Sequence, residues 1–278
     1  MALEPGLYVA ATPIGNLKDV TYRVVDALKE ADLILCEDTR QTAKLCAAYG
    51  IVTPRAPYHD HNADKARPGI LKKLGAGARI CLVSDAGTPL ISDPGMKLVR
   101  DARKIGVKVF PLPGPSAAVA ALSAAGAPTD RFLFAGFPPA KAAARAAFFR
   151  DLAPIEATLV FYETAPRLSG SLAAMAAAFG DRRAILAREL TKLHEEFREG
   201  ALSDLAALYA EKAPKGEIVV IVHPPAPEAS ASEAEIDEFL ARALEEMTVK
   251  DAAAAAAEAL KVPRKDAYQR ALRRKGEG

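Results

Sequence analysis

Short apolar runs recur as far as Val222, and nearly every one stops at a cluster of Gly, Pro, Asp or Ser. The clearest is Ile80-Cys81-Leu82-Val83, followed at once by Ser84-Asp85-Ala86-Gly87-Thr88-Pro89-Leu90-Ile91-Ser92-Asp93-Pro94-Gly95. Four apolar residues make a buried strand, and the cluster behind them turns the chain out of the sheet. The same pattern predicts strands at 7–12, 33–37, 80–84, 108–112, 132–137, 158–163, 184–189 and 217–222. Helical spacing predicts helices over 19–31, 39–49, 96–105, 115–125, 166–179 and 203–212. Strands without polar alternation are covered on both faces, and strand–helix alternation specifies an α/β fold with mainly parallel pairing. Ligands of such sheets sit just past the carboxyl ends of the strands. The loop from Ser84 to Gly95 is therefore the first candidate site. It offers the Asp85 carboxylate, bare backbone at Gly87 and a stiff exit at Pro89.

With 278 residues, half of them hydrophobic, the chain has room for two compact domains and an appendage. A break is expected near Pro113-Gly114-Pro115. A formal charge of +2 excludes a globally basic nucleic-acid binder, so any basic surface is local. Cys36, Cys46 and Cys81 form no CxxC pair and the four His complete no zinc pattern, so no metal is expected. An odd cysteine count, a start without basic and apolar leader regions, and the lack of an apolar span point to a cytoplasmic protein.

Past Val222 the character changes. His223-Pro224-Pro225-Ala226-Pro227 reads as a stiff linker, and 228–246 carries seven acidic residues against Arg242 alone. Residues 248–275 are Ala-rich and then basic, with a split at Val262-Pro263. Thr248 caps one expected helix, 249–260, and Pro263 opens another, 264–275. This is either a helix-turn-helix pair or a terminal hairpin with a solvated charged face.

Other loops at strand ends carry candidate chemistry. Thr12-Pro13-Ile14-Gly15-Asn16 lacks the spacing of a phosphate cradle. In Glu37-Asp38-Thr39-Arg40, Asp38 or Thr39 caps a helix, while Arg40 either pairs with Glu37 or faces an anionic substrate. His59-Asp60-His61-Asn62 offers imidazoles suited to a general base. Pro113-Gly114-Pro115-Ser116 leads into an Ala-rich helix whose N-terminus suits a carboxylate. Tyr162 either stacks a base or packs in the core, and Arg188 and Lys192 either meet phosphate or form surface pairs.

Taken in order, Thr12 to Leu17, Glu37 to Arg40, His59 to Asn62, Ser84 to Gly95, Pro111 to Ser116, Ala187 to Lys192 and Lys215 to Val219 resemble the tetrapyrrole-methylase-like methyltransferases. The closer resemblance is to the bacterial branch that methylates a cytidine 2′-oxygen of 16S ribosomal RNA, and it covers essentially the whole chain. It implies two α/β domains of the tetrapyrrole methylase type, 1–113 and 114–223, with a cofactor cleft between them. A linker and small helical RNA-binding tail follow at 224–278. It also implies S-adenosylmethionine as cofactor, a homodimer, and 16S rRNA or the small ribosomal subunit as partner. Carried over, the cofactor contacts are Pro13, Asp85, Ala86, Gly87, Ser116, Ala117, Tyr162, Glu163, Leu190 and Gly216. The RNA-binding residues are Arg264, Lys265, Arg270, Arg273 and Arg274. The loops this leaves free give an expected acceptor side of Glu37, Asp38, Arg40, His59 and His61. The alternatives are a same-fold methyltransferase acting on a tetrapyrrole precursor or a protein, and a non-catalytic RNA-binding assembly factor.

Overall fold

The computed structural model describes residues 3–211, 214–226 and 231–276. The expected helix end at Lys212 and the residues Pro227 and Glu228 of the expected linker and acidic stretch lie outside these. The described chain forms two units, Met1–Pro224 and Pro225–Gly278.

In the first unit, strands β1 (Gly6–Ala10), β2 (Leu33–Cys36), β3 (Arg55–Pro57), β4 (Arg79–Leu82) and β5 (Val109–Leu112) pair in parallel in the order β3-β2-β4-β1-β5. The crossovers carry helices α1 (Tyr22–Glu30), α2 (Thr39–Ala48), α3 (Ala63–Gly75) and α4 (Met96–Lys104). Both sheet faces are covered. Tyr8, Ala10, Ile34, Cys36, Cys81 and Val83 pack with Val24 and Leu28 of α1 and Leu45 and Cys46 of α2. The residues between them, Leu7, Leu35, Ile80 and Leu82, pack with Ile70 and Leu74 of α3 and Leu98 and Ala102 of α4. The chain leaves β1 towards α1 on one face and β4 towards α4 on the other. Adjacent strands whose connections diverge leave a crevice at their carboxyl ends.

Helix α5 (Ala117–Ala125) leads into a second sheet: β6 (Phe132–Gly136), α6 (Ala142–Leu152), β7 (Thr158–Thr164), α7 (Leu168–Phe179), β8 (Arg183–Arg188), β9 (Glu196–Ala201), α8 (Leu202–Glu211) and β10 (Glu217–Val222). Its order is β6-β7-β10-β8-β9. Here the expectation of mainly parallel pairing fails. Only β6–β7 is parallel, while β10 runs antiparallel to both β7 and β8, and β8–β9 is antiparallel. The crossover through α7 leaves a one-strand gap between β7 and β8, and β10 fills it from the opposite direction. Leu159, Phe161, Val220 and Val222 face α6, α7 and α8. Val160, Ile185, Val219 and Ile221 face α5 and Ile14 of the loop after β1.

Five elements were not anticipated as such. Strand β3 is a three-residue edge ending in Pro57, β9 is a charged edge strand, α6 has no clean apolar period, α3 carries Pro68 inside it, and the helix Glu233–Glu246 falls in the stretch read only as acidic. Edge strands tolerate proline and charge because one side of their backbone faces away from the sheet.

The second unit is a three-helix bundle. Helix α9 (Glu233–Glu246) starts with a capping box between Ser232 and Glu235. Helix α10 (Val249–Ala259) is capped by Thr248, and α11 (Arg264–Gly276) follows Pro263. Ile236, Leu240, Ala252, Ala253, Ala256, Val262, Ala267 and Ala271 form its core. The alanines bring α10 and α11 close together, which fixes a helix-turn-helix pair.

Candidate active site and nucleic-acid interface

The loops at the carboxyl ends of β1, β4 and β5 are stitched into one surface. Thr12 and Gly87 exchange both main-chain hydrogen bonds, at 2.8 and 3.0 Å. The Thr12 hydroxyl donates to Ser84 O at 3.0 Å, and the Thr88 hydroxyl donates to Pro115 O at 3.0 Å. Gly87 sits at φ +81°, where a side chain would be strained. The second half joins through the turn after β8. Asn16 N–H donates to Thr191 Oγ1 at 3.0 Å, and a Cβ on Gly15 would stand 2.7 Å from Leu190 O. That turn is braced by Glu189 Oε1, which accepts from Lys192 Nζ at 3.0 Å and Glu217 N–H at 3.2 Å. Among described residues, five non-glycines have positive φ, and four fall in these loops: Leu90, Ser92, Glu189 and Thr191. Each left-handed non-glycine costs about 1–3 kcal/mol, and such strain concentrates at functional sites.

These loops enclose a cavity of about 280 Å³, at the lower edge of small-molecule sites. Of the ten residues expected to contact cofactor, Asp85, Ala86, Gly87, Ser116, Ala117, Tyr162, Glu163 and Leu190 line it. Pro13 and Gly216 are outside the lining, where their chain neighbours Ile14 and Glu217 stand instead. The expected set lacked Ser92, Asp93 and Phe137, among others. Ser92 and Asp93 lie in the loop that gave the strongest signal. Phe137 is the last residue of a stretch expected to be strand.

The polar groups divide sharply by partner. Helix α5 has no side-chain cap at Ser116, and one first-turn donor, Ala118 N–H, is taken by the Tyr162 oxygen at 3.2 Å. Burial pushes the Tyr162 phenol up, so it stays protonated and able to donate. Phe134 and Phe137 meet its ring edge-on, with centroids at 4.7 and 5.5 Å. The Glu163 carboxylate is committed elsewhere: it accepts from Ser171 Oγ and from Thr164 N–H at 2.8 Å, with Arg167 at 3.5 Å. Glu163 therefore offers the cavity main chain only. Asp85 Oδ1 accepts from Asp38 N–H at 2.9 Å. Asp93 has no hydrogen-bond or ionic partner among the described residues. Burial, then the charges of Glu37, Asp85 and Asp60, push its carboxyl up to about 7. Glu37 is raised for the same reason, burial first and then Asp85 and Asp60.

The residues expected on the acceptor side lie in the chain following β2 and β3. Glu37, Asp38, Arg40, His59 and His61 do not line the cavity. Arg40 turns back on Asp38, donating from Nε at 3.1 Å and Nη2 at 2.7 Å, rather than pairing with Glu37 or reaching inward. Its side chain remains 88% exposed. Asp38 caps α2 through Arg40 N–H, and the guanidinium holds its carboxyl down at about 2. The rings of His59 and His61 have centroids 6.0 Å apart, His59 with a buried Nδ1 that has no hydrogen-bond partner among the described residues and His61 exposed. Among the described residues no group of three or more His, Cys, Asp or Glu is placed to hold a metal ion.

In the second unit, Arg264, Lys265, Arg273 and Arg274 are exposed along α11, with Tyr268 at 41% and Leu272 at 48% exposure beside them. Arg270 departs from the expected set. It pairs with Glu233 at 2.7 Å and Asp237 at 3.0 Å, tying α11 to α9.

The sequence matches the Tetrapyrrole (Corrin/Porphyrin) Methylases over residues 6–206 and the RsmI C-terminal HTH domain over residues 230–275. It is 48% identical to ribosomal RNA small subunit methyltransferase I of Mesorhizobium japonicum, over 99% of this chain and 95% of the relative. To the protein of the same name in Escherichia coli O157:H7 it is 44% identical, over 97% and 96%. Among solved structures, it shares the fold of diphthine synthase at a TM-score of 0.60 and 14% identity, covering 78% of this chain and 89% of that one. It likewise shares the fold of the Thermus thermophilus uroporphyrin-III-C-methyltransferase, at a TM-score of 0.57 and 19% identity over 78% and 94%. The chain belongs to the ribosomal RNA small subunit methyltransferase I family, S-adenosylmethionine-dependent enzymes on the tetrapyrrole methylase fold.

Proposed function

We propose that this protein methylates the 2′-oxygen of a cytidine in 16S ribosomal RNA, in the cytoplasm and as a homodimer, with the loop-lined cavity as its cofactor site. The observation that carries this reading is the convergence on one cavity of the loops after β1, β4 and β5 with the turn after β8. The donor set suits a sulfonium nucleoside. Ile14, Leu190 and Val219 supply apolar walls for a base. The open first turn of α5 suits a carboxylate, while Asp85 suits hydroxyl or ammonium hydrogens. When bound, S-adenosylmethionine supplies an electrophilic methyl group on a cationic sulfur, whose departure as a neutral thioether needs no acid. The protein's part is alignment, and loops stitched as tightly as these suit it. In the tail, Arg264, Lys265, Arg273 and Arg274 supply charge to RNA phosphates, with Tyr268 available for stacking. Among the described residues no helix is long and apolar enough to cross a membrane.

Tritiated methyl transfer to unmodified small subunits and to free ribosomal RNA, followed by digestion to nucleosides, tests the reading. Label in 2′-O-methylcytidine supports it. Label on a nucleobase, a protein or an added tetrapyrrole precursor refutes it, as does failure to bind cofactor in calorimetry. Sedimentation velocity checks the dimer.

A further inference from the structure

We propose that Asp93 is the catalytic base that takes the proton from the attacking ribose hydroxyl. The inference rests on the 2′-O-methylation reading above. It starts from how carboxylates near the cavity are employed. Glu163 is held by Ser171 and Thr164, Glu217 by Lys192 at 3.0 Å, and Asp85 by Asp38 N–H. Asp93 alone among these lines the cavity without a donor or cation to hold it among the described residues. An unpartnered, partly buried carboxylate is costly, and the loop that presents it is strained as well. Leu90 (φ 73°), Ser92 (φ 66°) and Gly95 (φ 136°) surround Asp93, and the position of a Gly95 Cβ would lie 2.8 Å from Leu82 Cδ2. The chain is folded back against β4 there, with the carboxylate on the cavity side.

The titratable groups around Asp93 come from its own loop and from the chain at the ends of β2, β3 and β7. Glu37 follows β2 and Asp60 lies in the loop after β3, while Asp85 follows β4. Tyr162 on β7 faces Asp93 with its phenol protonated, and His59 sits across Glu37. Three like charges and burial make Asp93 far more basic than a solvated aspartate, close to neutral pH, where a general base works best. The histidines expected in this role lie outside the cavity lining.

The step balances without any further reagent. The hydroxyl oxygen forms a bond to the methyl carbon, the carbon–sulfur bond breaks, and its electron pair stays on sulfur as a neutral thioether. The hydroxyl proton passes to Asp93 and then to water. A sulfonium bound in the cavity that Asp93 lines would lose its charge on transfer, so the proton affinity of Asp93 would rise in the very step that gives it a proton to take.

The test uses the full-length protein with D93N and D93E. Carboxyl carbon NMR of the cofactor-free protein should show a group titrating near 7 that D93N removes. Single-turnover transfer should fall by about 10²–10³-fold in D93N, with part of it regained in D93E. Calorimetry should show D93N still binding cofactor at one site per chain, weakened only by the factor by which the bound cation lowers the Asp93 titration, which with unchanged far-UV dichroism shows that D93N is folded. The wild-type rate should climb with pH along an acid limb that lies below the free carboxyl's titration, because the bound cation lowers it, and that limb should vanish in D93N. An unchanged D93N rate, or a D93N profile that keeps the limb, overturns the proposal. Wild-type label found outside a ribose 2′-oxygen overturns the acceptor reading instead, so the two failures are told apart.

Discussion

Replacing Asp93 by Asn should make the cofactor-free protein more stable at neutral pH, and by an amount that grows with pH. Its carboxyl moves from 3.8 in the unfolded chain to about 7 in the native one. Between those values the native state holds a proton that the unfolded state has released, so wild-type stability falls as pH rises through the window. Each tenfold gain in proton affinity corresponds to about 1.4 kcal/mol, which sets a ceiling of about 4 kcal/mol above pH ~7. Between about pH 5 and about pH 8 the ceiling contributes about 2.6 kcal/mol, because part of the loss has already occurred by pH ~5. Asp93 is only partly buried, and water and counterions at the cavity mouth should screen roughly half of this. Urea unfolding of both proteins at the two pH values measures it. The D93N advantage should widen by about 1 kcal/mol or more from the lower to the higher pH. Taking the difference between pH values cancels whatever the amide does to packing. A gap that is the same at both pH values would refute the account of Asp93 as a carboxylate held against its neighbours' charge.

Three further outcomes follow from geometry. Gly15→Ala places a methyl group 2.7 Å from Leu190 O and Thr191 Oγ1, so it should weaken cofactor binding by about tenfold or more in calorimetry while far-UV dichroism stays unchanged. Ser171→Ala removes a hydroxyl donor from the fully buried Glu163 carboxylate and should cost about 1–3 kcal/mol in urea unfolding. In the tail, Arg270→Ala should lower the midpoint of helix loss by breaking the ties to Glu233 and Asp237. Arg264→Ala with Lys265→Ala should leave that midpoint alone and reduce the salt slope of RNA affinity by about 1–2, as expected for two lost phosphate contacts.

The sequence made the first sheet legible because its strands are buried on both faces. A run such as Ile80 to Val83 has one reading when every side chain in it packs, and all four of these side chains are buried, two against each layer of helices. The second sheet shows the limit of that logic. Apolar runs at 158–163, 184–189 and 217–222 locate strands and say nothing of direction, so the antiparallel insertion of β10 was out of reach. Strands β3 and β9 were hidden by their position at sheet edges, where Pro54, Pro57, Glu196 and Arg198 cost little. Arg40 misled for a local reason. A cation in a helix's first turn looks misplaced against the dipole, yet a carboxylate two residues earlier satisfies it completely.

The cavity loops were legible for the opposite reason from the core: they break local rules. Ser84 to Gly95 signals a turn through its composition, but composition cannot show that Leu90 and Ser92 adopt left-handed backbone, or that Asp93 has no partner among the described residues. Its raised titration depends on burial and then on charges that include Glu37 and Asp60, which reach Asp93 only once the sheet is laid down in the order β3-β2-β4. Departures from local preference are concentrated at one place. Four of the five left-handed non-glycines among the described residues, a helix start without its side-chain cap and an uncompensated carboxylate gather around the same cavity. A folded chain keeps such a concentration of unfavourable features where chemistry requires it. Asp93 lines that cavity, whereas the histidines that the sequence brought forward stand outside its lining.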